Sequence, residues 1–168
     1  NYIDDFSVIS QPLDWVGTNY YTRSVIKLDK SETVIGFRCT RGDLPKTDMG
    51  WEIAPEGLAH FIKRTAKNYA PQLPHYITEN GMASTDIIQQ GKINEIDRVD
   101  YFDRHLQIIT DLKLQGLNIA GYFAWSLLDN YEWAYGYAKR FGIVHVDYTT
   151  QKRTPKSSSR AWQKALTR

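Results

Sequence analysis

Three apolar runs rich in β-branched and aromatic residues, at 13–21, 75–81 and 117–126, are separated and followed by segments whose apolar residues recur every three or four positions. The resulting order (strand, loop, helix, strand, helix, strand, helix) narrows the fold more than any other feature of the chain. Strands joined through helices run parallel, with right-handed crossovers that lay the helices against the sheet. The expected class is therefore α/β.

The helical segments carry their own punctuation. Ala54-Pro55-Glu56-Gly57 places Pro and an acid in a first turn, Leu58, Phe61, Ile62, Thr65, Ala66 and Tyr69 mark one face, and Pro71 and Pro74 end the helix. Asp97 is expected to cap a second helix with apolar residues Val99, Phe102, Leu106, Ile109 and Leu112, stopped by Gly116. His105, beside that stripe, is expected at or near the surface. Residues 156–166 read as a terminal helix burying Trp162, Ala165 and Leu166, and 141–146 as a short β arm turning at Asp147 and Tyr148. Residues 22–49, with only a short β-like piece at 33–35, and 82–92 read as polar loops; in compact domains a loop as long as the first is usually functional or mobile. Residues 1–10 resemble the tail of an element that begins elsewhere, and no leader segment is recognisable there.

Of the 168 residues, 42% are hydrophobic and 24% charged, enough for one domain with a core. The 21 basic and 19 acidic residues are dispersed, so neither nucleic acid nor membrane is an expected partner, and no run of about 18 apolar residues suggests a span. The single cysteine, Cys39, and the lack of zinc-type spacing favour a reducing, cytoplasmic setting and no metal; no cofactor is expected. The aromatic content is informative. Eleven Tyr and five Trp supply apolar faces with polar tips, the chemistry that stacks on sugars.

Glu79 sits where the 75–81 strand becomes the Asn80-Gly81 turn, a position that can hold a carboxylate rigidly while leaving it accessible; a solvated glutamate before a turn fits the same spacing. The other two strands also end in polar or aromatic residues, Asn19 and Tyr21 on one and Trp125, followed by Glu132 and Trp133, on the other. In parallel β/α folds the strand carboxyl ends share one face, so these residues are expected to converge on a ligand site.

The motifs Trp15-Val16-Gly17-Thr18-Asn19-Tyr20-Tyr21-Thr22, Lys46-Thr47-Asp48-Met49-Gly50-Trp51-Glu52, Tyr76-Ile77-Thr78-Glu79-Asn80-Gly81, Gly121-Tyr122-Phe123-Ala124-Trp125-Ser126-Leu127-Leu128-Asp129-Asn130-Tyr131-Glu132-Trp133 and Arg140-Phe141-Gly142-Ile143-Val144-His145-Val146-Asp147 run through almost the whole chain. In this order they resemble the C-terminal part of family 1 glycoside hydrolases, the β-glucosidase and β-galactosidase group. The resemblance implies that residues 1–168 form a single segment of a (β/α)8 TIM barrel, about strands 6 to 8. It implies Glu79 as nucleophile of a retaining mechanism, Tyr21 as the residue orienting it, and Asn19 in the same pocket. Trp125 would be the sugar platform, and Glu132 and Trp133 would bond the outer hydroxyls of a small-molecule β-glycoside.

A carboxylate at 132 would repel a phosphate, and Phe141, also in the implied sugar site, has no hydroxyl, so the nonphosphorylated substrates are the expected ones, although Lys139 is present. Trp51 either borders the leaving-group side or anchors its loop. The family's acid/base glutamate, in an Asn-Glu-Pro motif, is absent from the chain. Three strands cannot close a barrel, so the chain is expected either to pair with an N-terminal barrel fragment or chain of the same enzyme or to be a truncated product. A noncatalytic sugar-binding or assembly subunit, and a thioglucosidase whose acid position is neutral, remain open alternatives.

Overall fold

The computed structural model describes residues 2–31 and 34–167. Its centre is a three-stranded parallel sheet in the order β1 (Val16–Asn19), β4 (His75–Asn80), β7 (Ile119–Ala124). Thr18 lies beside Ile77 and Asn80 beside Ala124, and irregular register at Thr18/Asn19 brings Asn19 level with Glu79. On one face Ile77 and Ile119 pack against Leu58 and Ile62 of α2 (Pro55–Asn68) and Ile109 and Leu112 of α3 (Ile96–Leu114). The other face leaves Trp15 and Phe123 more than half exposed.

α2 starts at Pro55, whose missing N–H costs nothing in a first turn, with Glu56 favourable against the helix dipole. It buries Leu58 and Ile62, whereas Phe61 and Tyr69, expected on the inner face, are exposed. The inner stripe, packed on α3 and the sheet, is narrower than the sequence pattern.

α3 departs from expectation in three ways. Its N-cap position is Glu95 rather than Asp97, and Glu95 makes no cap with its own helix. The buried face runs through Arg98, Tyr101, Phe102, His105, Ile109 and Leu112, one step round from the expected stripe, with Val99 and Leu106 at its margin. His105 is fully buried rather than superficial, because its ring stacks on Tyr101 at 4.0 Å and its Nδ1 meets the Tyr101 carbonyl at 2.7 Å. Arg98 is tolerated inside because Glu95, the Met82 carbonyl and the Arg140 carbonyl all accept from it.

The long segment 22–49 is not all loop. β2 (Val25–Leu28) and β3 (Phe37–Thr40) form an antiparallel hairpin, while Val34 and Ile35 of the expected 33–35 piece lie in its turn and Thr33 lies outside the described residues. The loop expected at 82–92 contains most of a second hairpin, β5 (Ile88–Gln89) with β6 (Lys92–Ile93), turned by Gln90 and Gly91 at φ 50° and 72°. Such left-handed backbone suits the tight hairpin turns and is easiest at glycine. β8 (Val144–Val146) is shorter than the expected arm and pairs with β9 (Arg153–Pro155).

The terminal helix α4 (Ser157–Leu166) sets Trp162 edge-on to Phe102 at 5.4 Å, but Ala165 and Leu166 are exposed, the latter 76%. Its last turn runs past the α3 surface it packs on. α1 (Tyr2–Ile9) completes the elements, with Phe6, Val8 and Ile9 exposed. Among the described residues no helix is long and apolar enough to cross a membrane.

Candidate functional site

The carboxyl ends of β1, β4 and β7 open on one side of the sheet, where a cleft of about 470 Å³ gathers Tyr21, Trp51, Glu79, Trp125, Glu132, Trp133 and Phe141. Glu79 is in the last turn of the pleat of β4, half-buried, and the Tyr21 hydroxyl donates to its Oε2 at 2.7 Å. The backbones of the two ends are linked as well, with Tyr20 N–H donating to the Glu79 carbonyl at 2.9 Å. Burial and the hydrogen bond to Glu79 hold the Tyr21 phenol far above its ordinary range, so it remains a donor.

Behind Glu79, a buried amide fixes the strand ends. Asn80 Nδ2 donates to the Tyr20 carbonyl at 2.6 Å and to the Tyr101 hydroxyl at 3.0 Å, Tyr122 donates to Asn80 Oδ1, and the Tyr101 hydroxyl donates to the Tyr21 carbonyl at 3.3 Å. β1, β4, β7 and α3 thus meet at one side chain adjacent to Glu79. Gly81 allows the closest approach. A Cβ there would stand 1.8 Å from the Trp125 carbonyl oxygen, so only glycine fits between the ends of β4 and β7. The Trp125-Ser126 peptide is cis.

The side walls are aromatic. Tyr21, Trp51 and Phe141 form a mutual cluster with ring centroids 5.5 to 6.1 Å apart, which places Trp51 against the ring of the residue that holds Glu79. Phe141 is buried at the base, and Trp133 is 82% exposed at the rim. Glu132 is half-buried in the same cleft; burial, then the negative charge of Glu79, raises its carboxyl above the ordinary range. Glu79 and Glu132 are the two carboxylates lining this cleft.

Asn19 does not join them. It lies exposed at the end of β1, its Oδ1 accepting from Thr78 Oγ1 at 2.6 Å, while Tyr20 turns inward and Tyr21 reaches the cleft. Met49 and Tyr135 line the cleft and were missed. Tyr135 belongs to the mixed aromatic run 127–139, whose 3₁₀ turn Trp133–Tyr135 has no periodic signature. Asn80, Tyr101 and Tyr122 were also missed, since only the folded structure brings their polar tips together.

Two other grooves lack this chemistry. One of about 610 Å³ between the 45–48 segment and α3 has no aromatic side chain in its lining, and one of about 360 Å³ on the uncovered sheet face is walled by Trp15, Tyr76, Thr78 and Phe123 without a charged group.

Asp86, Asp129 and His145 also gather closely enough to suggest a cation site. Lys156 Nζ lies 2.9 Å from Asp86 Oδ2 and 3.0 Å from Asp129 Oδ1, so the cation between these carboxylates is the chain's own ammonium. Burial works against the Asp129 charge, but Lys156, Arg140 and the Val146 N–H outweigh it and hold the carboxyl below the ordinary range.

Comparison with known proteins agrees with this geometry. The pattern of Glycosyl hydrolase family 1 matches residues 3–168. A 1,4-beta-D-glucan glucohydrolase of Thermotoga neapolitana is 48% identical over 94% of this chain and 35% of its own, and a 6-phospho-beta-galactosidase of Streptococcus equi subsp. zooepidemicus is 38% identical over 89% and 36%. The solved family 1 β-glucosidase of Thermotoga maritima superposes with a TM-score of 0.95 at 43% identity, covering 99% of this chain and 38% of that one. The chain thus spans a little over a third of the length of the relatives it matches, and its parallel sheet is a portion of their TIM barrel. On the match over nearly all its residues, the chain belongs to glycosyl hydrolase family 1.

Proposed function

We propose that this chain supplies the nucleophile side of a retaining β-glycosidase acting on nonphosphorylated β-glucosides or related β-glycosides. The observation that carries the reading is the 2.7 Å hydrogen bond from Tyr21 to Glu79 at the mouth of an aromatic cleft. An oxygen of the ionised Glu79 carboxylate attacks the anomeric carbon as the bond to the leaving oxygen breaks. A protonated carboxyl roughly 5 Å away gives its proton to that oxygen. Water then attacks the glycosyl ester, returning its proton to the second carboxyl and freeing Glu79.

Trp125 would stack under the sugar and Glu132 and Trp133 would bond its outer hydroxyls, the carboxylate by charge-assisted bonds. The Glu132 charge also opposes a phosphate on the sugar, which favours the glucosidase reading over the phosphorylated substrates named for some relatives. The three parallel strands would be the sixth to eighth of the barrel. The acid/base carboxyl and the other strands would come from an N-terminal part of the same enzyme, held with this chain in one barrel.

In the complete enzyme, Glu79→Gln is expected to remove hydrolysis of an aryl β-glucoside by several orders of magnitude, because no glycosyl ester can form. Hydrolysis near the parental rate would remove Glu79 from the role. A second reading, a noncatalytic sugar-binding subunit, draws on the cleft's having only Glu132 as a companion to Glu79. It predicts glucoside binding without turnover even with the partner chain present.

A further inference from the structure

The excursion between β7 and β8 carries Glu132, Trp133 and Phe141, and its tip has little packing of its own. Trp133 is 82% and Tyr135 52% exposed, and the turn is held by the Glu132 N–H donating to the Gly136 carbonyl at 2.7 Å. Apart from the Lys139 ammonium donating to the Asp48 carbonyl, the position of this arm is set at its base, and the base converges on Asp129, three residues before Glu132. Asp129 Oδ2 accepts from Arg140 at 2.7 Å and from the Val146 N–H at 3.2 Å, and Oδ1 accepts from the Gly142 N–H at 2.9 Å. One carboxylate on the outgoing side thus closes the arm by binding three residues of its returning side.

Asp129 is in turn fixed from outside the arm. Lys156, in the residue before α4 and wholly buried, donates from Nζ to Asp129 Oδ1 at 3.0 Å and from its backbone N–H to the Ile143 carbonyl at 3.0 Å. Asp86 anchors the ammonium at 2.9 Å on its far side and also meets His145 Nδ1 at 2.7 Å. There is no slack to absorb a shift, because a Cβ on Gly142 would already lie 2.1 Å from the Asp129 backbone nitrogen.

We propose that Lys156 is a positioning residue for sugar recognition, acting through Asp129 to hold the Glu132 and Trp133 arm in register with Glu79, on the reading of the cleft as a glycoside site. A buried cation that merely stabilises the fold would affect every substrate alike, whereas one that sets the arm affects those substrates whose outer hydroxyls the arm grips.

The test compares parent and Lys156→Met in the complete enzyme on an aryl β-glucoside and on its deoxy analogue lacking the outer hydroxyls, with Glu79→Gln measured alongside. The expected result is a KM raised about tenfold or more on the full glucoside with kcat changed by less than about threefold, and no KM difference between parent and variant on the deoxy analogue. Equal losses on both substrates, or an unchanged KM on the glucoside, would overturn the positioning role. If Lys156→Met does not fold, Asp129→Asn, which preserves the shape of the base, is measured on the same two substrates and decided by the same outcomes. Failure of the underlying glycosidase reading would appear separately, as parental turnover by Glu79→Gln.

Discussion

Tyr21 and Glu79, fifty-eight positions apart in the chain, are joined by a hydrogen bond of 2.7 Å between the phenol and one carboxylate oxygen. The bond exists because adjacent parallel strands end at the same level, and the Tyr101 hydroxyl holds the Tyr21 carbonyl from behind. A hydrogen bond to an ionised group contributes about 1.5–3 kcal/mol, so Tyr21→Phe is expected to lower kcat of the complete enzyme by about 10- to 100-fold with a smaller change in KM. Steady-state kinetics on an aryl β-glucoside checks this. A variant with parental kcat would mean that Glu79 is held adequately without the phenol.

The two carboxylates of the cleft should sense each other. Glu132 titrates above the ordinary carboxylate range, first through burial and second through the charge of Glu79. Glu79→Gln removes only the second cause, so the Glu132 midpoint should move down but remain above that of an exposed glutamate. Carbon-13 NMR titration of the side-chain carboxyls, run on the chain itself, reads this directly. A Glu132 midpoint unmoved by the substitution would show that the two groups do not share a field.

His105 gives the fold a pH dependence of predictable sign. Burial lowers its pKa from 6.5 to about 4, with Tyr101 stacked on it, Tyr20 close by, and Arg104 and Glu56 as the charges that act on it. The folded chain keeps the ring neutral while the unfolded chain takes up a proton below about pH 6.5. The contribution is thus complete above pH 6.5 and is lost as pH falls toward 4, up to about 3 kcal/mol in all. Asp129, whose folded value is lowered, loses its contribution only at still lower pH, from its ordinary value downward. Urea denaturation of the parent and His105→Gln across pH 4 to 7.5 should show a steeper fall for the parent. Parallel slopes would contradict the burial of a neutral ring.

How much of this was legible follows from what each signal depends on. The β1, β4 and β7 strands and the α2 and α3 helices announce themselves by local periodicity, and six of the residues expected around Glu79 line its cleft because parallel strand ends must face one way. Asn19 is placed outside that cleft because its amide oxygen accepts from Thr78 on the neighbouring strand, a partner that no local pattern in the sequence names. His105 is expected near the surface, and nothing local marks Arg98 or Lys156 for burial. Their burial depends on partners brought from far along the chain, as when Glu95 accepts from Arg98 and also from the Ser157 and Ser158 hydroxyls some sixty positions later. The β2/β3 and β5/β6 hairpins are short and largely exposed, so their pairing leaves little hydrophobic alternation to recognise.

Glycine at 81 is required by contact and glycine at 36 by conformation, and the two requirements predict different outcomes for the same substitution. Gly36 has φ of 69° with nothing near its missing Cβ, so Gly36→Ala meets only backbone strain in an exposed turn, about 1 kcal/mol, and leaves the cleft alone. Gly81→Ala drives a methyl against the Trp125 carbonyl, a backbone atom that no side-chain rotation can clear. The ends of β4 and β7 must then separate, shifting Glu79 relative to Trp125 at a cost of at least about 1–3 kcal/mol. Urea midpoints of the two variants should fall in that order, and only Gly81→Ala should lower kcat in the complete enzyme, since a displacement of about 1 Å between reacting groups can cost about 100-fold. If Gly81→Ala retained both midpoint and kcat, the close approach of these two strand ends would not be what aligns Glu79 with Trp125.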